Sequence, residues 1–296
     1  MFRMKGVIPP MLTPFTKDGQ VDYESLKTLV FFLNDKVNGL FINGSYGAGV
    51  MMTEDERKKV VETVVDTTQG KIPVIAHIGT ADSISAARMA DHAVNTGVDA
   101  VSAVGPYYFK HSDDDICEYF SAIVEAVKGK AAVYVYNNPG FQGYPMSLQL
   151  LERLKKDVGV NGVKDATFDI MLHANYMRLL KDDTFDVALG TEAMWLSACA
   201  LGCEGFIPGI GNAFPEICQK LYKEGMEGDF AACRETQFVV NEMRDIMYLA
   251  KSTQLAIYAM LEIRDIVKCY PRSPFIPASE KEKNAIRDRL KELKII

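Results

Sequence analysis

Residues 73–104 read PVIAHIGTADSISAARMADHAVNTGVDAVSAV and contain one complete strand–helix–strand unit. Two short apolar runs, Pro73–Ile78 and Ala100–Val104, flank a stretch with helical periodicity. Asp82 is a typical residue for the start of that helix, and Gly97 is typical of its end. Nearly continuous apolar runs are expected for parallel strands that are buried on both faces. The segment therefore predicts two parallel strands joined by a helix.

The same alternation of short apolar runs and helical stretches recurs along the chain. Thr53–Glu56 has the pattern of a capping box, and Ser112–Asp115 opens another helix. The eight strand candidates are Gly6–Met11, Gly39–Asn43, Pro73–Ile78, Ala100–Val104, Ala132–Tyr136, Gly162–Lys164, Asp186–Leu189 and Gly205–Ile207. Eight strand–helix units, roughly 25–35 residues apart, predict an α/β protein folded as a (β/α)8 TIM barrel. A doubly wound sheet is the alternative, disfavoured because no Gly-x-Gly-x-x-Gly follows the first strand.

The C-terminal part of the chain has a different pattern. Residues 214–296 are nearly all helical in character, with about three extra helices, and no Pro/Gly/Ser linker precedes them. We therefore expect a barrel over residues 1–213 and a helical extension over 214–296 that packs on it as one structural unit.

Composition and charge narrow the class of protein. Hydrophobic residues make up 48% of the 296 positions and charged residues 24%, which are ordinary values for a soluble globular chain. The net charge of −6 argues against a general nucleic-acid surface. Residues Met1–Gly6 carry no apolar signal region, and no apolar run approaches the ~20 residues of a membrane span. These features predict a cytoplasmic protein with neither nucleic acid nor membrane as a partner.

The cysteines and histidines show no metal-binding or redox pattern. Cys199 and Cys203 lie one helical turn apart, but Leu201 and Gly202 lie between them and no histidine is near. The six cysteines, which form no Cys-x-x-Cys pair, are Cys117, Cys199, Cys203, Cys218, Cys233 and Cys269. The four histidines are His77, His92, His111 and His173, without metal-ligand spacing. We expect reduced core thiols and no metal.

Active sites of barrels of this kind lie at the carboxyl ends of the strands, so the strand-end residues are the candidates for chemistry. Lys164 ends the sixth strand candidate, where burial would lower its pKa and free the amine to attack a ketone. Tyr136 ends the fifth, where its phenol could relay protons. Read alone, Lys164 could instead extend its amine to solvent, and Tyr136 could be an ordinary half-buried tyrosine.

The turn Gly44-Ser45-Tyr46-Gly47 follows the second strand candidate. Its glycines let backbone N–H groups converge, and such a turn can hold a carboxylate, although a tight strand-to-helix connection would have the same composition. An anion-binding turn, a phenol and a buried amine at one barrel mouth are together what a 2-oxo acid requires. The combination is therefore more informative than any of the three residues alone.

At these residues the chain resembles the dihydrodipicolinate synthase / N-acetylneuraminate lyase family, and the resemblance covers essentially the whole length. Gly44-Ser45-Tyr46-Gly47 looks like the family's G-[ST]-[ST]-G loop, which binds the pyruvate carboxylate. Tyr136-Asn137-Asn138-Pro139 looks like its Y-N-x-P motif. Gly162-Val163-Lys164-Asp165 looks like its G-[IV]-K-[DE] Schiff-base segment.

The resemblance implies a class I aldolase or lyase that makes or cleaves a carbon–carbon bond between pyruvate and an aldehyde. Lys164 would form the Schiff base, Tyr136 would shuttle protons, and Ser45 would order that phenol. The backbone N–H groups of Ser45 and Tyr46 would hold the pyruvate carboxylate. Tyr108 matches a tyrosine that many members lend to a neighbouring subunit, which implies a homotetramer or a dimer. No metal or organic cofactor is implied.

Departures from the family pattern bear on the substrate. Phe141 stands where synthases that use aspartate semialdehyde usually carry an arginine for its second carboxylate. Sialic acid lyases carry acidic and hydroxyl residues at four positions, which here are Glu192, Ala166, Ala193 and Gly209. Lys164-Asp165 is similar to the 2-keto-3-deoxy sugar acid aldolases, our leading subtype. The expected substrate-binding residues are Gly44, Ser45, Tyr46, Phe141, Gln142, Gly190, Glu192 and Ile207.

Several alternatives stay open at this point. The enzyme could be a dihydrodipicolinate synthase or an N-acetylneuraminate lyase, or a Schiff-base dehydratase or deaminase that shares Lys164. The chain could also belong to another class of protein, as a non-catalytic regulator that binds an oxo acid. The bulk of Tyr46, where a small Ser or Thr is common in the family, should narrow the carboxylate end of the pocket.

Overall fold

The computed structural model describes residues 2–296, so Met1, the first residue of the predicted barrel and of the N-terminal segment, lies outside the described residues. The strands are β1 Gly6–Val7, β2 Leu40–Ile42, β3 Val74–His77, β4 Ala100–Ala103, β5 Ala132–Asn137, β6 Gly162–Asp165, β7 Asp186–Leu189 and β8 Gly205–Phe206. The helices are α1 Tyr23–Asn34, α2 Glu54–Thr68, α3 Ser83–Thr96, α4 Asp113–Val127, α5 Pro139–Gln142, α6 Leu148–Arg153, α7 Ile170–Leu179, α8 Trp195–Ala200, α9 Pro215–Met226, α10 Phe230–Met247, α11 Thr253–Ile263 and α12 Glu280–Glu292.

The eight strands form one parallel sheet in the order β1-β8-β7-β6-β5-β4-β3-β2. A parallel bridge between Pro10 and Phe41 joins its two ends, and the Met11 N–H donates to the Phe41 carbonyl at 2.8 Å. The sheet therefore closes, which confirms the predicted (β/α)8 barrel. Strand β1 is shorter than predicted because Pro9 and Pro10 have no N–H to donate to a ladder.

Side chains alternate along each strand between the barrel interior and the surrounding helices. Tyr134 and Tyr136 of β5 point into the barrel, where they pack with Phe41, whereas Val133 and Val135 belong to the outer core beneath the helices. Tyr136 is paired in register with Lys164 on the neighbouring strand β6. Adjacent parallel strands in register therefore place the phenol and the amine side by side inside the barrel.

A hydrogen-bonded cluster fills the amino end of the barrel. The Tyr134 hydroxyl donates to Asp186 Oδ2 at 2.9 Å, and the backbone N–H of Met4 donates to the same oxygen at 2.9 Å. Burial raises the pKa of the Asp186 carboxyl. The buried Asp186 carboxyl therefore ties strand β7 to β5 and to the N-terminal segment at this end.

Four helices follow the last strand, where the sequence predicted about three beyond the barrel. The first, α9, packs against β1 and so takes the place of the eighth barrel helix. The amino end of α11 reaches the barrel mouth, where Gln254 Nε2 donates to the Tyr46 carbonyl at 2.9 Å. The C-terminal helices are therefore present and in contact with the site, while the division at residues 213 and 214 stays a prediction.

The six cysteines are unpaired thiols, of which Cys117 and Cys199 are partly exposed and the other four are buried. Burial raises the pKa of the Cys203 and Cys269 thiols to about 12, so both stay protonated. Among residues 2–296, no helix is both long enough and apolar enough to cross a bilayer. The cytoplasmic location stays a prediction.

Candidate active site

Lys164 is buried inside the barrel, with only 2% of its surface exposed. Its Nζ atom lies 3.7 Å from the ring centre of Tyr136 and 3.9 Å from that of Phe41. Burial lowers the pKa of this amine to about 7, because the low-dielectric interior disfavours the ammonium form. The amine does not extend to solvent, and a large fraction of it is neutral at neutral pH.

The phenol of Tyr136 lies in a short chain of hydroxyl and amide groups. Its oxygen is 3.3 Å from Ser45 Oγ, and Asn138 Nδ2 donates to it at 3.4 Å. Burial raises the pKa of Tyr136, so the phenol is protonated at rest. Tyr136, in contact with both Lys164 and Ser45, can therefore deliver a proton next to a neutral amine and take one back.

The turn after β2 has the backbone shape of an anion site. Asn43 adopts a left-handed φ of +57°, and a Cβ on Gly49 would lie 1.9 Å from the Asn43 carbonyl oxygen, so only glycine fits there. Among residues 2–296, no acceptor pairs with the backbone N–H groups of Ser45 and Tyr46. Two free donors beside the Tyr136 phenol are suited to a carboxylate.

His77 and Arg57 are parts of this site that the sequence analysis did not single out. His77 lies edge-on to Tyr136, and its Nε2 accepts the Val104 N–H at 3.2 Å. Arg57 donates to the His77 carbonyl at 2.8 Å. Burial, followed by the charges of Arg57 and Lys164, holds the pKa of His77 well below its usual range, so the ring is neutral.

A signal for His77 was present in the sequence. Metal-ligand spacing is not the only signal that a histidine carries: His77 is the residue of strand candidate Pro73–Ile78 whose side chain points inward near the carboxyl end. The two-residue period of that strand would have placed its ring at the mouth. Arg57 carries no such signal, because it lies on the helix α2 and only the packing directs it inward.

A cavity of about 490 Å³ opens at the barrel mouth above Tyr136. It lies between the loops after β2 to β5 and the amino end of α11. Its lining residues are Asn43, Gly44, Ser45, Tyr46, Ala48, Val50, Met51, His77, Val104, Tyr107, Tyr136, Gly140, Phe141, Ser252, Thr253, Gln254 and Phe275. Within residues 2–296 no aspartate, glutamate, lysine or arginine lines it, and Lys164 lies behind Tyr136 at its inner end.

Four of the predicted substrate-binding residues line this cavity: Gly44, Ser45, Tyr46 and Phe141. Gln142 does not, because it is buried and donates to Asn137 Oδ1 at 3.1 Å and to the Tyr144 carbonyl at 2.8 Å. Gly190 donates its N–H to the Asp165 carbonyl at 2.7 Å, and Ile207 is buried in the barrel interior. Neither of these last two residues reaches the cavity.

Glu192 is also directed away from the cavity. One carboxylate oxygen accepts the Gly209 N–H at 2.8 Å, and the other is ion-paired with Arg244. The Arg244 guanidinium in turn lies 4.9 Å from the ring centre of Phe168. The carboxylate of Glu192 is therefore paired on both oxygens within the chain itself.

Tyr108 lies outside the cavity of its own chain. Its side chain is 89% exposed, its φ is +82°, and its ring packs edge-on against Phe109 at 5.0 Å. A bulky residue held in the left-handed region is uncommon and strained. The preceding residue, Tyr107, is the one that lines the cavity.

Comparison with known proteins identifies relatives over the full length. The model of the Dihydrodipicolinate synthetase family matches residues 3–293. An N-acetylneuraminate lyase of Citrobacter koseri is 30% identical over 282 residues, covering 94% of this chain and 93% of that protein. A sialic acid aldolase of Ruminococcus gnavus, solved as a catalytic lysine mutant, superimposes with a TM-score of 0.93 at 26% identity, covering 99% and 98% of the two chains. YagE, a prophage protein of E. coli K12 solved in complex with pyruvate, has a TM-score of 0.93 at 25% identity and 99% coverage of both chains.

Proposed function

The chain belongs to the dihydrodipicolinate synthetase family of pyruvate-dependent Schiff-base aldolases, and we propose that Lys164 is the residue that forms its Schiff base. The single observation that carries the proposal is the buried amine of Lys164, whose pKa is lowered to about 7, beside the Tyr136 phenol. The relatives support it, since the Ruminococcus gnavus aldolase has a catalytic lysine and YagE binds pyruvate.

The first step is the attack of the neutral Lys164 amine on the ketone carbon of a 2-oxo acid. A carbinolamine forms, Tyr136 protonates its hydroxyl, and water leaves to give the protonated imine and the Tyr136 phenolate. The free N–H groups of Ser45 and Tyr46 hold the carboxylate of the substrate during this step. Ser45 Oγ, 3.3 Å from the phenol oxygen, orients the Tyr136 hydroxyl and passes protons to it.

The second step breaks or makes the carbon–carbon bond. In the cleavage direction, the Tyr136 phenolate takes the proton of the C4 hydroxyl, the C3–C4 bond breaks, and its electron pair moves into the protonated imine. The products of this step are a free aldehyde and an enamine on Lys164. Protonation of the enamine at C3 and hydrolysis of the imine then return pyruvate and the free amine. The reverse sequence condenses pyruvate with an aldehyde.

Reductive trapping tests this assignment directly. The protein is incubated with pyruvate, reduced with borohydride, digested and mapped by mass spectrometry. The expected result is one adduct on the peptide that contains Lys164. An adduct on another lysine, or no adduct at all, would contradict the assignment. Binding of pyruvate without an adduct would favour the alternative of a non-catalytic regulator that binds an oxo acid.

Condensation with aspartate semialdehyde is expected to be slow or absent, although pyruvate still forms the imine. This aldehyde brings a second carboxylate, and leaving such a group unpaired in a dry site costs several kcal/mol. Phe141 offers no donor, no arginine or lysine among the described residues lines the cavity, and Arg178 is exposed on α7 beside Asn175. Efficient condensation, with kcat/KM above roughly 10⁴ M⁻¹s⁻¹, would show that another group replaces the arginine.

A Phe141→Arg variant provides the matched check on that prediction. It supplies the bidentate donor that a carboxylate prefers and should raise any weak condensation rate with aspartate semialdehyde. The same variant should still form the pyruvate adduct, because the substitution leaves in place the Tyr136 and Phe41 rings that surround the Lys164 amine. No increase in condensation would mean that position 141 does not face the second carboxylate.

We also propose that the active assembly is a homotetramer or a dimer in which Tyr108 completes the proton relay of a neighbouring subunit. The exposed ring, with its strained φ of +82°, supports this role, because a structure stores such strain mainly at functional positions. Light scattering at micromolar protein should give at least twice the monomer mass of 32.9 kDa. A monomer that is fully active would contradict the shared site. A Tyr108→Phe variant should keep the assembled state and have a lower kcat.

A further inference from the structure

We infer that the aldehyde half of the substrate is apolar, with an alkyl or aryl group where a sugar acid would carry a chain of hydroxyls. The inference rests on the proposed function and adds to it the chemical class of the second substrate. It departs from the 2-keto-3-deoxy sugar acids that the sequence favoured, which stay a prediction and serve as the comparison substrates.

The outer part of the cavity is walled by apolar side chains. Val50, Met51, Val104, Phe141 and Phe275 surround the space above Tyr136, and no charged side chain of the described residues joins them. Phe141 is 55% exposed and Val50 is 63% exposed, so both present apolar surface at the mouth. Binding of an apolar group against such a wall is favourable, because it removes apolar surface from water. The same wall offers hydroxyls no hydrogen-bond partner.

Several polar groups of the cavity are already engaged within the chain, whereas His77 Nδ1 and Asn43 Oδ1 have no partner among the described residues. Asn43 donates its amide to the Arg57 carbonyl at 3.0 Å, and Gln254 donates to the Tyr46 carbonyl at 2.9 Å. Ser252 Oγ accepts the Leu255 N–H at 3.2 Å as the cap of α11. A polyol that competed for these engaged groups would have to break the bonds they already make, which weakens its binding.

Tyr46 closes the side of the mouth that leads to β7 and β8. Its ring fills the space beside Gly209, where an added Cβ would lie 2.4 Å from the Tyr46 oxygen, and its hydroxyl donates to Thr253 Oγ1 at 3.1 Å. Glu192 lies beyond Gly209 and is paired with Arg244. The acidic group that could have met substrate hydroxyls is therefore separated from the cavity by an aromatic wall.

The remaining space suits a ligand of moderate size. A volume of about 490 Å³ lies within the usual range for small-molecule sites. The inner end, at Ser45 and Tyr136, is reserved for the 2-oxo acid that joins Lys164. The group on the aldehyde carbon must therefore point outward, toward Phe141 and Phe275.

Retro-aldol kinetics test the inference with defined probes. Release of pyruvate is followed with lactate dehydrogenase from 4-hydroxy-2-oxohexanoate, from 4-hydroxy-2-oxo-4-phenylbutanoate and from 2-keto-3-deoxygluconate. At least one of the two apolar probes should have a kcat/KM at least about 10-fold above that of the sugar acid. Phe141→Ser and Phe275→Ser should each lower kcat/KM for the apolar probes by about 10-fold. Phe238→Ser, which replaces an exposed phenylalanine of α10 outside the cavity, is the matched control and should change neither this kcat/KM nor the rate of pyruvate trapping.

The outcomes separate this inference from the function on which it rests. A borohydride adduct at Lys164 together with equal or faster cleavage of 2-keto-3-deoxygluconate would overturn the apolar substrate and leave the aldolase assignment intact. An adduct together with unaltered cleavage of the apolar probes by both serine variants would also overturn it. Failure to form any adduct with pyruvate would remove both proposals at once.

Discussion

A Lys164→Ala variant is expected to lose at least about 10⁴-fold in kcat/KM, a decrease that brings turnover to the limit of detection. The reason is that in the proposed mechanism Lys164 supplies the nucleophile and, as the imine, the electron sink, and no other lysine of the described residues lines the cavity. Turnover and borohydride trapping should disappear together. Lys164→Met is the control for folding, because it keeps the buried aliphatic volume, and Lys291→Ala removes an exposed amine of α12 with no expected effect.

The pH profile of the wild-type protein tests whether burial lowers the pKa of the Lys164 amine. At neutral pH, the neutral fraction of the Lys164 amine is about 10³-fold larger with a pKa of about 7 than with the ordinary value of 10.5. The rate of trapping should fall as the pH drops below about 7, since protonation removes the nucleophile, and should level off above that value. A rate that keeps rising toward pH 10 would show that the amine is not desolvated and that the burial argument is wrong.

Replacement of Tyr136 by phenylalanine is expected to lower kcat by about 10²- to 10⁴-fold, the usual contribution of a positioned acid–base group. The ring beside Lys164 is kept, so the amine stays desolvated and slow imine formation should persist. The loss should therefore appear in turnover more than in the final amount of trapped adduct. A variant that keeps the wild-type kcat would show that another group moves the proton.

Tyr258→Phe is the matched control for the loss of a buried phenol. The Tyr258 hydroxyl donates to the Thr13 carbonyl at 2.7 Å, away from the cavity. Its removal should cost about 1 kcal/mol in the free energy of unfolding and leave kcat unchanged. A parallel loss of activity in both variants would mean that the effect at Tyr136 is one of stability and not of proton transfer.

The local signals of the sequence predicted the architecture well. Thr53 and Asp82 are typical cap residues, and α2 and α3 begin immediately after them. Caps and hydrophobic periodicity act within a few residues, so the chain encodes them without reference to the rest of the fold. The same kind of signal located the eight strands; the bounds of β7 agree with the prediction, and those of the other seven differ by one or more residues.

The three chemical groups were also available from the sequence. Lys164, Tyr136 and Ser45 lie at strand ends, and the barrel topology brings all strand ends to one rim. Their meeting is a consequence of topology and register, which is why the sequence could anticipate it. Glu192 and Gln142 lay at the same rim, and nothing in their local sequence distinguished them from groups that face a substrate.

The sequence by itself determined the barrel, the site at the carboxyl ends of its strands and the candidate amine, phenol and anion turn, because these depend on short-range pattern and on strand order. Only the tertiary structure decided which rim side chains are free. Glu192 is paired by Arg244, 52 positions along the chain, and Tyr46 is held by Thr253, 207 positions away. The pKa of Lys164 likewise depends on the packing of Phe41 and Tyr136 around it. Pairing and desolvation are properties of neighbours in space, so the polarity of the cavity could not be read from any local segment.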